Sequence, residues 1–316
     1  MPGSGLRRAA GAWVLLATVA LLWHPVAFGQ GKSGPQKSFA APEEAAKALG
    51  AAYRNGDRKS VAEILGDTGW RLVFSGDPVI DRHERAWFLS LYKEGHEVVA
   101  ESNDRAVLSL GRDDVPYPIP IVKKGAQWRF DPGEGHEDLL SRRMSKAELS
   151  ALNVVVAYVE AQRAYHQEAR RDDGVREYAQ KFRSSPGQRD GLFWEGKSGK
   201  VAGPLAGLIE AASKEGYRPA KKGEEPVYRG YAYRILAGQG PQAPGGARDY
   251  LVNGRMTGGF AIVAFPVRYG VSGVMTFLAN QDGVIYQNDL GPKTVEAGRK
   301  MSRFDPDQTW TKGQAN

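Results

Sequence analysis

The sequence predicts an α+β protein of two domains, each with helix packed on an antiparallel sheet. The main observation is that the apolar period changes from helical to alternating twice along the 316 residues, near Gly95 and again before Tyr231. The composition agrees, because 41% hydrophobic and 25% charged residues are the proportions of a globular chain. A chain of this length also has room for two ordinary domains.

The first predicted domain covers residues 41–140 and places three helices before a sheet. Pro42 suits the first position of a helix that ends at Asn55, and a second short helix and a third over roughly 81–94 follow. After Gly95 the apolar residues alternate, which predicts short strands in HEVVAES, RAVLSLG, YPIPIVKKG and AQWRFDP. This order resembles the cone-shaped nuclear-transport-factor-like (SnoaL-like) domains, in which a strand such as GAQWRFD comes last.

The second predicted domain covers residues 145–305 and is followed by a tail over 306–316. Ser145 and Glu148 predict a capping box at the start of a long amphipathic helix. The apolar stripe of that helix contains Leu149, Leu152, Val156 and Val159, and it is widened by Tyr158, Ala161 and Tyr165. Strands are predicted in YRGYAYRIL, in GGFAIVAFP and in a hairpin that turns at residues 280–283. The sequence therefore predicts one long helix on a four-stranded antiparallel meander.

The first 29 residues have the pattern of a secretory signal peptide. Arg7 and Arg8 precede an apolar run, and the small-x-small sequence Ala-Phe-Gly predicts cleavage near Gly29. The alternative is that the segment is kept as an anchor. No other stretch is apolar enough to span a bilayer, so no membrane span is expected in the mature chain, which opens with a polar linker over 30–40.

Export and the absence of cysteine together indicate a bacterial periplasmic or secreted protein without a disulfide framework. The formal net charge of +7 does not indicate a nucleic-acid partner, because the basic residues are dispersed among acidic ones, as in KKGEEP and ARRDDGVRE.

Three long segments carry a family resemblance: YAQKFRSSPGQRDGLFW, the stretch from GYAYRILAGQG to VIYQNDLG, and MSRFDPDQTW. On these three segments, the chain is identified as a member of a bacterial family of exported proteins, whose shared domain has no known function. The resemblance implies an envelope protein and brings no catalytic residues. The long helix followed by AIVAFPVRYGVSGVMTFLANQDGVIY is also similar to the globular part of type IV pilins and pseudopilins. Pilins have an apolar helix half where this chain has a preceding domain, so we expect no pilin-type polymer.

Two clusters of ionisable residues are candidates for a catalytic site or a metal site. Asp131 and His136, in FDPGEGHEDLL, are candidates for an acid and a base if they are buried together. Asp172, Asp173 and Glu177 are candidate metal ligands, although a calcium loop needs more oxygen ligands at alternate positions. No cofactor is expected.

An aromatic cluster is the best candidate for ligand binding, because its rings flank polar loops and could stack on a sugar or a peptide. Its members are Phe193, Trp194, Tyr228, Tyr231, Tyr233 and Tyr250. The alternative is that the alternating tyrosines simply pack against the long helix, with their hydroxyl groups on polar partners.

These features predict an exported cell-envelope protein with a non-enzymatic binding or scaffolding role and an envelope protein or a glycan as its partner. The alternative is a periplasmic small-molecule enzyme, hydrolase-like, with a pocket in the N-terminal domain. An aromatic groove or a bare sheet edge in the second domain would favour binding, whereas a perturbed carboxylate near Trp128 would favour the enzyme. The sequence does not specify the oligomeric state.

Overall fold

Six α-helices and several antiparallel sheets make up the described part of the chain, which confirms the α+β class. The computed structural model describes residues 35–133, 136–168, 173–196, 199–221 and 223–313. The predicted signal peptide and the first residues of the linker lie outside these ranges. No helix within them is long and apolar enough to cross a membrane.

The first half has the predicted order of three helices and then a sheet. The helices are α1 (Pro42–Asn55), α2 (Arg58–Val73) and α3 (Pro78–Glu94). The strands are β1 (His96–Ser102), β2 (Arg105–Leu110), β3 (Val115–Pro116), β4 (Ile121–Lys124) and β5 (Gln127–Phe130). They pair antiparallel in the order β1-β2-β4-β5, with β3 on β2. The three helices and the sheet enclose a hydrophobic core that includes Leu49, Phe88 and Phe130.

The long helix α4 runs from His136 to His166 and so begins earlier than the sequence indicated. The predicted capping box is wrong, because Ser145 lies inside the helix and the Glu148 carboxylate accepts the N–H groups of Val274 and Met275 at 2.8 and 3.1 Å. Most of the predicted stripe lies on the core: Tyr158, Val159, Ala161 and Tyr165 are buried, and Leu152 and Val156 pack against the core partly buried. Leu149 is exposed, so the prediction is wrong there. The buried face also carries Ala147, Ala151, Val154, Val155 and Gln162.

Short elements follow α4 before the main sheet begins. They are β6 (Trp194–Glu195), β7 (Val201–Ala202), α5 (Ala206–Lys214) and β8 (Val227–Tyr228). The central strands are then β9 (Tyr231–Leu236), β14 (Ala261–Pro266), β15 (Thr276–Asn280) and β16 (Ile285–Asn288). Between and after them lie β10 (Gly238–Gln239), β11 (Arg248–Asp249), β12 (Leu251–Val252), β13 (Arg255–Met256), α6 (Thr294–Lys300), β17 (Arg303–Phe304) and β18 (Thr311–Lys312).

The predicted meander forms the centre of a six-stranded antiparallel sheet in the order β18-β16-β15-β14-β9-β8. Helix α4 covers the sheet, and its Tyr158 donates a hydrogen bond to the carbonyl of Ala261 on β14. Helix α6 also packs against β14, where Gly298 is so close to the Phe265 ring that a Cβ there would lie 2.4 Å from it. The side chains between these layers form the second hydrophobic core.

Buried polar contacts join the two halves. Asp77, which caps α3, accepts hydrogen bonds from the Tyr217 hydroxyl and from the Gly230 N–H, both at 2.9 Å. The guanidinium of Arg268 donates to the carbonyl of Phe74 at 2.8 Å, and that of Arg71 donates to Gly270 at 2.9 Å. The described residues thus form one compact unit, within which the division into two domains stays a prediction.

Candidate functional site

A cleft of about 1180 Å³ lies on the second half of the chain. Its walls come from α4, the segment 180–186, α5, the segment 217–226, and strands β8 and β9. This volume is somewhat above the usual range of small-molecule pockets, about 300–1,000 Å³, and is large enough for part of a polymer chain.

The floor of the cleft is apolar and aromatic. Tyr158 and Val154 reach it from α4, Phe193 precedes β6, and Leu208 and Ile209 come from α5. Phe182 packs near Tyr158, with the ring centroids 5.8 Å apart. Aromatic faces next to polar groups suit amphipathic ligands such as peptides and sugars.

Three of the six predicted aromatic residues line this cleft, namely Phe193, Tyr228 and Tyr233. The other three lie elsewhere. Tyr231 is buried and donates to the carbonyl of Met275, and Tyr250 is buried and donates to the Gln239 side chain. Trp194 lies under the guanidinium of Arg189. The structure therefore brings half of the predicted set together, and binding by these residues stays a prediction.

One edge of the main sheet is incomplete inside the cleft. Strand β8 has only two residues, and its pairing with β9 continues to a hydrogen bond from the Tyr233 N–H to the Pro226 carbonyl, 3.0 Å long. Pro226 has no backbone N–H and therefore cannot donate a hydrogen bond to the Tyr233 carbonyl. Beyond this point the hydrogen bonds of the described residues include no partner for that carbonyl or for the N–H and C=O of Ile235. We call these three backbone groups the open edge.

The alternation of β9 explains which backbone groups face the cleft. Gly230 accepts a hydrogen bond from Val267 and therefore faces the β14 side, whereas Tyr233 faces β8. Because successive residues of a strand point their backbone groups to opposite sides, Ile235 faces the same side as Tyr233. At Ala237 the edge is closed again by hydrogen bonds with Ser302 and Tyr250. The open edge is therefore short and bounded at both ends.

A network of phenol and carboxylate groups closes the end of the cleft nearest the first half. Tyr217 donates to the buried Asp77 carboxylate and accepts the Arg229 N–H. Tyr228 donates to Glu215 at 3.1 Å, and the hydrogen bonds from the Arg229 guanidinium to the same carboxylate lower the pKa of Glu215. The phenols thus have anchoring partners at this end of the cleft.

Tyr233 differs from the other phenols that line the cleft. Its hydroxyl group is buried and has no hydrogen-bond partner among the described residues. Burial raises the pKa of Tyr233 well above its ordinary value, so the group is a neutral donor at physiological pH. Because this hydroxyl is shielded from solvent, a ligand oxygen could satisfy the unmet donor only after the Tyr233 ring shifted toward the cleft.

The sequence did not indicate the role of α5 and the segment 217–226. The only signal there is the run RPAKKGEEP, which reads as a polar loop. The position of the segment 217–226 beside the cleft depends on hydrogen bonds between residues far apart in the sequence, such as that from Tyr217 to Asp77. Local sequence patterns do not encode such contacts.

Asp131 and His136 are each engaged in local contacts. Asp131 accepts the Gly133 N–H at 3.0 Å and lies 3.8 Å from the ammonium of Lys124. The Nδ1 of His136 contacts the Gly133 carbonyl at 2.6 Å, and its Nε2 lies 2.9 Å from Glu137. A small cavity of about 200 Å³ in the first half is lined by other residues, including Tyr53, Arg58 and Phe74. A catalytic role for Asp131 and His136 stays a prediction.

The predicted metal ligands face an arginine. Arg255 donates to the carboxylates of Asp173 and Glu177, which are thereby charge-paired. Asp172 lies outside the described residues. Within those residues no group of three or more metal-ligating side chains comes together.

The comparisons with known proteins give one match. Comparisons with curated proteins and with solved structures found none, so the SnoaL-like and pilin-like resemblances stay predictions. A model of the family described as "Protein of unknown function (DUF2950)" matches residues 36–312, which is nearly all of the described chain. The chain therefore belongs to the DUF2950 family.

Proposed function

We propose that this is an exported cell-envelope protein that binds an extended polypeptide segment in the cleft, along the open edge of β9. The observation that carries the proposal is the set of unpaired backbone groups on Tyr233 and Ile235 within a large aromatic cleft. A peptide in extended conformation offers the matching donors and acceptors, and it gains main-chain hydrogen bonds by adding a strand to the sheet.

The rest of the cleft suits the side chains of such a segment. Side chains of a strand alternate, so one set would point to the apolar floor formed by Tyr158, Phe193 and Ile209 while the other pointed outward. The buried Tyr233 hydroxyl would gain a partner if its ring shifted to meet a backbone or side-chain oxygen of the segment. A rigid sheet edge with a few anchoring pockets is the usual arrangement for peptide capture of this type.

The second half also contrasts with the first in how its edge is protected. Strand β1 is a long edge strand, but Glu97 and Glu101 lie on it, and these charges disfavour pairing with a second chain. On β9, Arg234 lies next to the open edge, but its guanidinium donates to the Gly298 carbonyl. The glutamates of β1 therefore protect that edge, whereas the arginine of β9 is held in a hydrogen bond within the chain.

Hydrogen exchange tests the peptide-binding proposal directly. The purified full chain would be incubated with a library of ten-residue peptides, and the amide of Ile235 would be followed in the bound and free protein. We expect slower exchange at Ile235 with a binding peptide, and no change with the same peptide N-methylated at alternate residues. Binding that leaves Ile235 exchange unchanged would contradict strand addition.

The proposed location has its own test. We expect the chain expressed in a Gram-negative host to be found in the periplasmic fraction with a new N-terminus near Gln30, because residues 1–29 have the pattern of a cleaved signal. N-terminal sequencing distinguishes this from retention as an anchor, in which case the first residues stay on the protein.

A further inference from the structure

We infer that the polypeptide held in the cleft is acidic. The inference rests on the proposed function and specifies its ligand. The inference comes from the charged side chains that border the cleft. Cationic side chains outnumber anionic ones, and the anionic ones are all in ion pairs, whereas the charged groups of two cationic ones have no partner among the described residues.

Both glutamates of the cleft wall are already paired with arginines. Two hydrogen bonds from the Arg218 guanidinium, at 2.6 and 3.0 Å, lower the pKa of Glu224 to about 2. Glu225 accepts hydrogen bonds from Arg299 at 3.1 and 3.2 Å. Their negative charges are therefore balanced without a ligand.

Five cationic side chains border the same cleft: Lys181, Arg183, Arg218, Lys221 and Arg234. Lys181 is paired with Asp190, and Arg218 with Glu224. The guanidinium of Arg183 and the ammonium of Lys221 have no ion pair or hydrogen bond among the described residues, and both side chains are exposed. They stand on two different segments of the wall, 180–186 and 217–226.

This arrangement favours an anionic occupant over a neutral or a cationic one. Exposed charges at the border of a binding site act through complementarity and association rate, and each contributes modestly to affinity. An extended peptide with acidic residues at alternate positions would place its apolar side chains on the floor and its carboxylates toward Arg183 and Lys221. Such a peptide matches the open edge with the regular spacing of its backbone groups and the exposed cations with its carboxylates, whereas an anionic glycan has no strand-like backbone to add to the sheet.

The test compares two labelled peptides that differ only in charge. Fluorescence anisotropy would measure binding of the purified full chain to Thr-Glu-Val-Glu-Val-Glu-Thr and to the same peptide with glutamine in place of glutamate. We expect the acidic peptide to bind about tenfold more tightly at about 0.02 M salt, with the difference largely lost at about 0.5 M salt. The double variant Arg183→Gln, Lys221→Gln should remove most of the difference.

A matched control removes two charges elsewhere. Lys93→Gln with Arg112→Gln changes the net charge equally on the first half of the chain and should leave the acidic-to-neutral ratio unchanged. Equal binding of both peptides, with protection of the Ile235 amide, would overturn the acidic ligand and leave the proposed function in place. Binding of neither peptide would overturn both. Binding of an oligogalacturonate together with unaltered binding of the N-methylated peptide would also overturn both, in favour of an anionic polymer.

Discussion

The carboxylate of Asp77 connects elements that are far apart in the sequence. It is fully buried and accepts hydrogen bonds from Val79 and Ile80 at the start of α3, and from Tyr217 and Gly230 in the second half. Asp57 is the corresponding N-cap of α2, and its carboxylate accepts hydrogen bonds from the neighbouring Ser60 at the surface. The two aspartates have the same local role and different tertiary roles.

Replacement of Asp77 should therefore cost more stability than replacement of Asp57. Asp77→Ala removes a helix cap and leaves the Tyr217 hydroxyl and the Gly230 N–H buried without their acceptor, so we expect a loss of about 3 kcal/mol. Asp57→Ala removes only a cap at the surface and should cost clearly less. Urea denaturation of the two variants measures the difference, and equal losses would show that the contacts to Tyr217 and Gly230 add nothing.

Tyr53 gives the protein a dependence on alkaline pH. Burial raises the pKa of Tyr53 to about 12 from an ordinary value of 10.0. The unfolded chain therefore ionises first, and the stabilisation that is complete below pH 10 is lost as the pH rises toward 12. The contribution of Tyr53 to the expected loss over this range is on the order of 2 kcal/mol.

Equilibrium unfolding between pH 9 and pH 12 measures this loss. Tyr53→Phe should make the pH profile shallower by the contribution of this one phenol, while other buried tyrosines such as Tyr250, whose pKa is also raised to about 12, continue to contribute. Phe88→Leu, which alters packing against the same ring at a centroid distance of 4.2 Å, should lower stability by a similar amount at every pH. A profile of Tyr53→Phe as steep as that of the unaltered chain would assign the dependence to other groups.

In strand β9, the backbone groups of neighbouring residues point to opposite sides, so one residue pairs within the sheet while the next lies at its edge. Arg234 pairs with Val263 and its backbone faces β14, while the backbone of Ile235 faces the open edge. Proline removes the N–H and is tolerated at sheet edges but not within a ladder. The two adjacent residues therefore allow binding to be separated from folding.

We expect Ile235→Pro to fold and to lose peptide binding. Arg234→Pro should lose at least about 2 kcal/mol of stability, because it leaves a buried carbonyl of β14 without a donor. Thermal unfolding and anisotropy on both variants provide the check. Unchanged peptide affinity in Ile235→Pro would show that the peptide does not pair with β9.

On the scale of the whole molecule, contacts between the halves determine how the chain unfolds. Arg143 donates to the Arg71 and Leu72 carbonyls at the end of α2, where a helix favours cations. Arg268 donates to Phe74 nearby, and burial lowers the pKa values of Arg143 and Arg268. Buried hydrogen bonds between the two halves couple the stability of one hydrophobic core to that of the other.

We therefore expect one cooperative unfolding transition, in which the calorimetric and van't Hoff enthalpies agree. Arg268→Ala should lower the midpoint of that transition by roughly 5 °C, since a lost buried hydrogen bond costs about 2 kcal/mol. Two separate transitions, of which Arg268→Ala shifted one, would show instead that the halves are independent domains.

The local patterns of the sequence are sufficient to predict the elements and the class. The alternation from Tyr231 to Ile235 and the turn at residues 280–283 predict the central meander, and both are present in the structure. Pro42 and the glycine after Asn55 likewise predict the limits of α1. These signals depend on neighbouring residues only, so they can be read without the fold.

The buried face of α4 and the candidate site were decided by tertiary structure. The predicted stripe was right at Tyr158 and Val159 but wrong at Leu149, and it missed small buried residues such as Ala151, which hydrophobicity alone does not mark. The cleft exists because Tyr217 meets Asp77 across 140 residues and because Pro226 ends the pairing of β8 with β9. The sequence by itself determined the α+β class and the family, whereas only the fold decided which tyrosines are core and which line a site, because burial depends on residues distant in the chain.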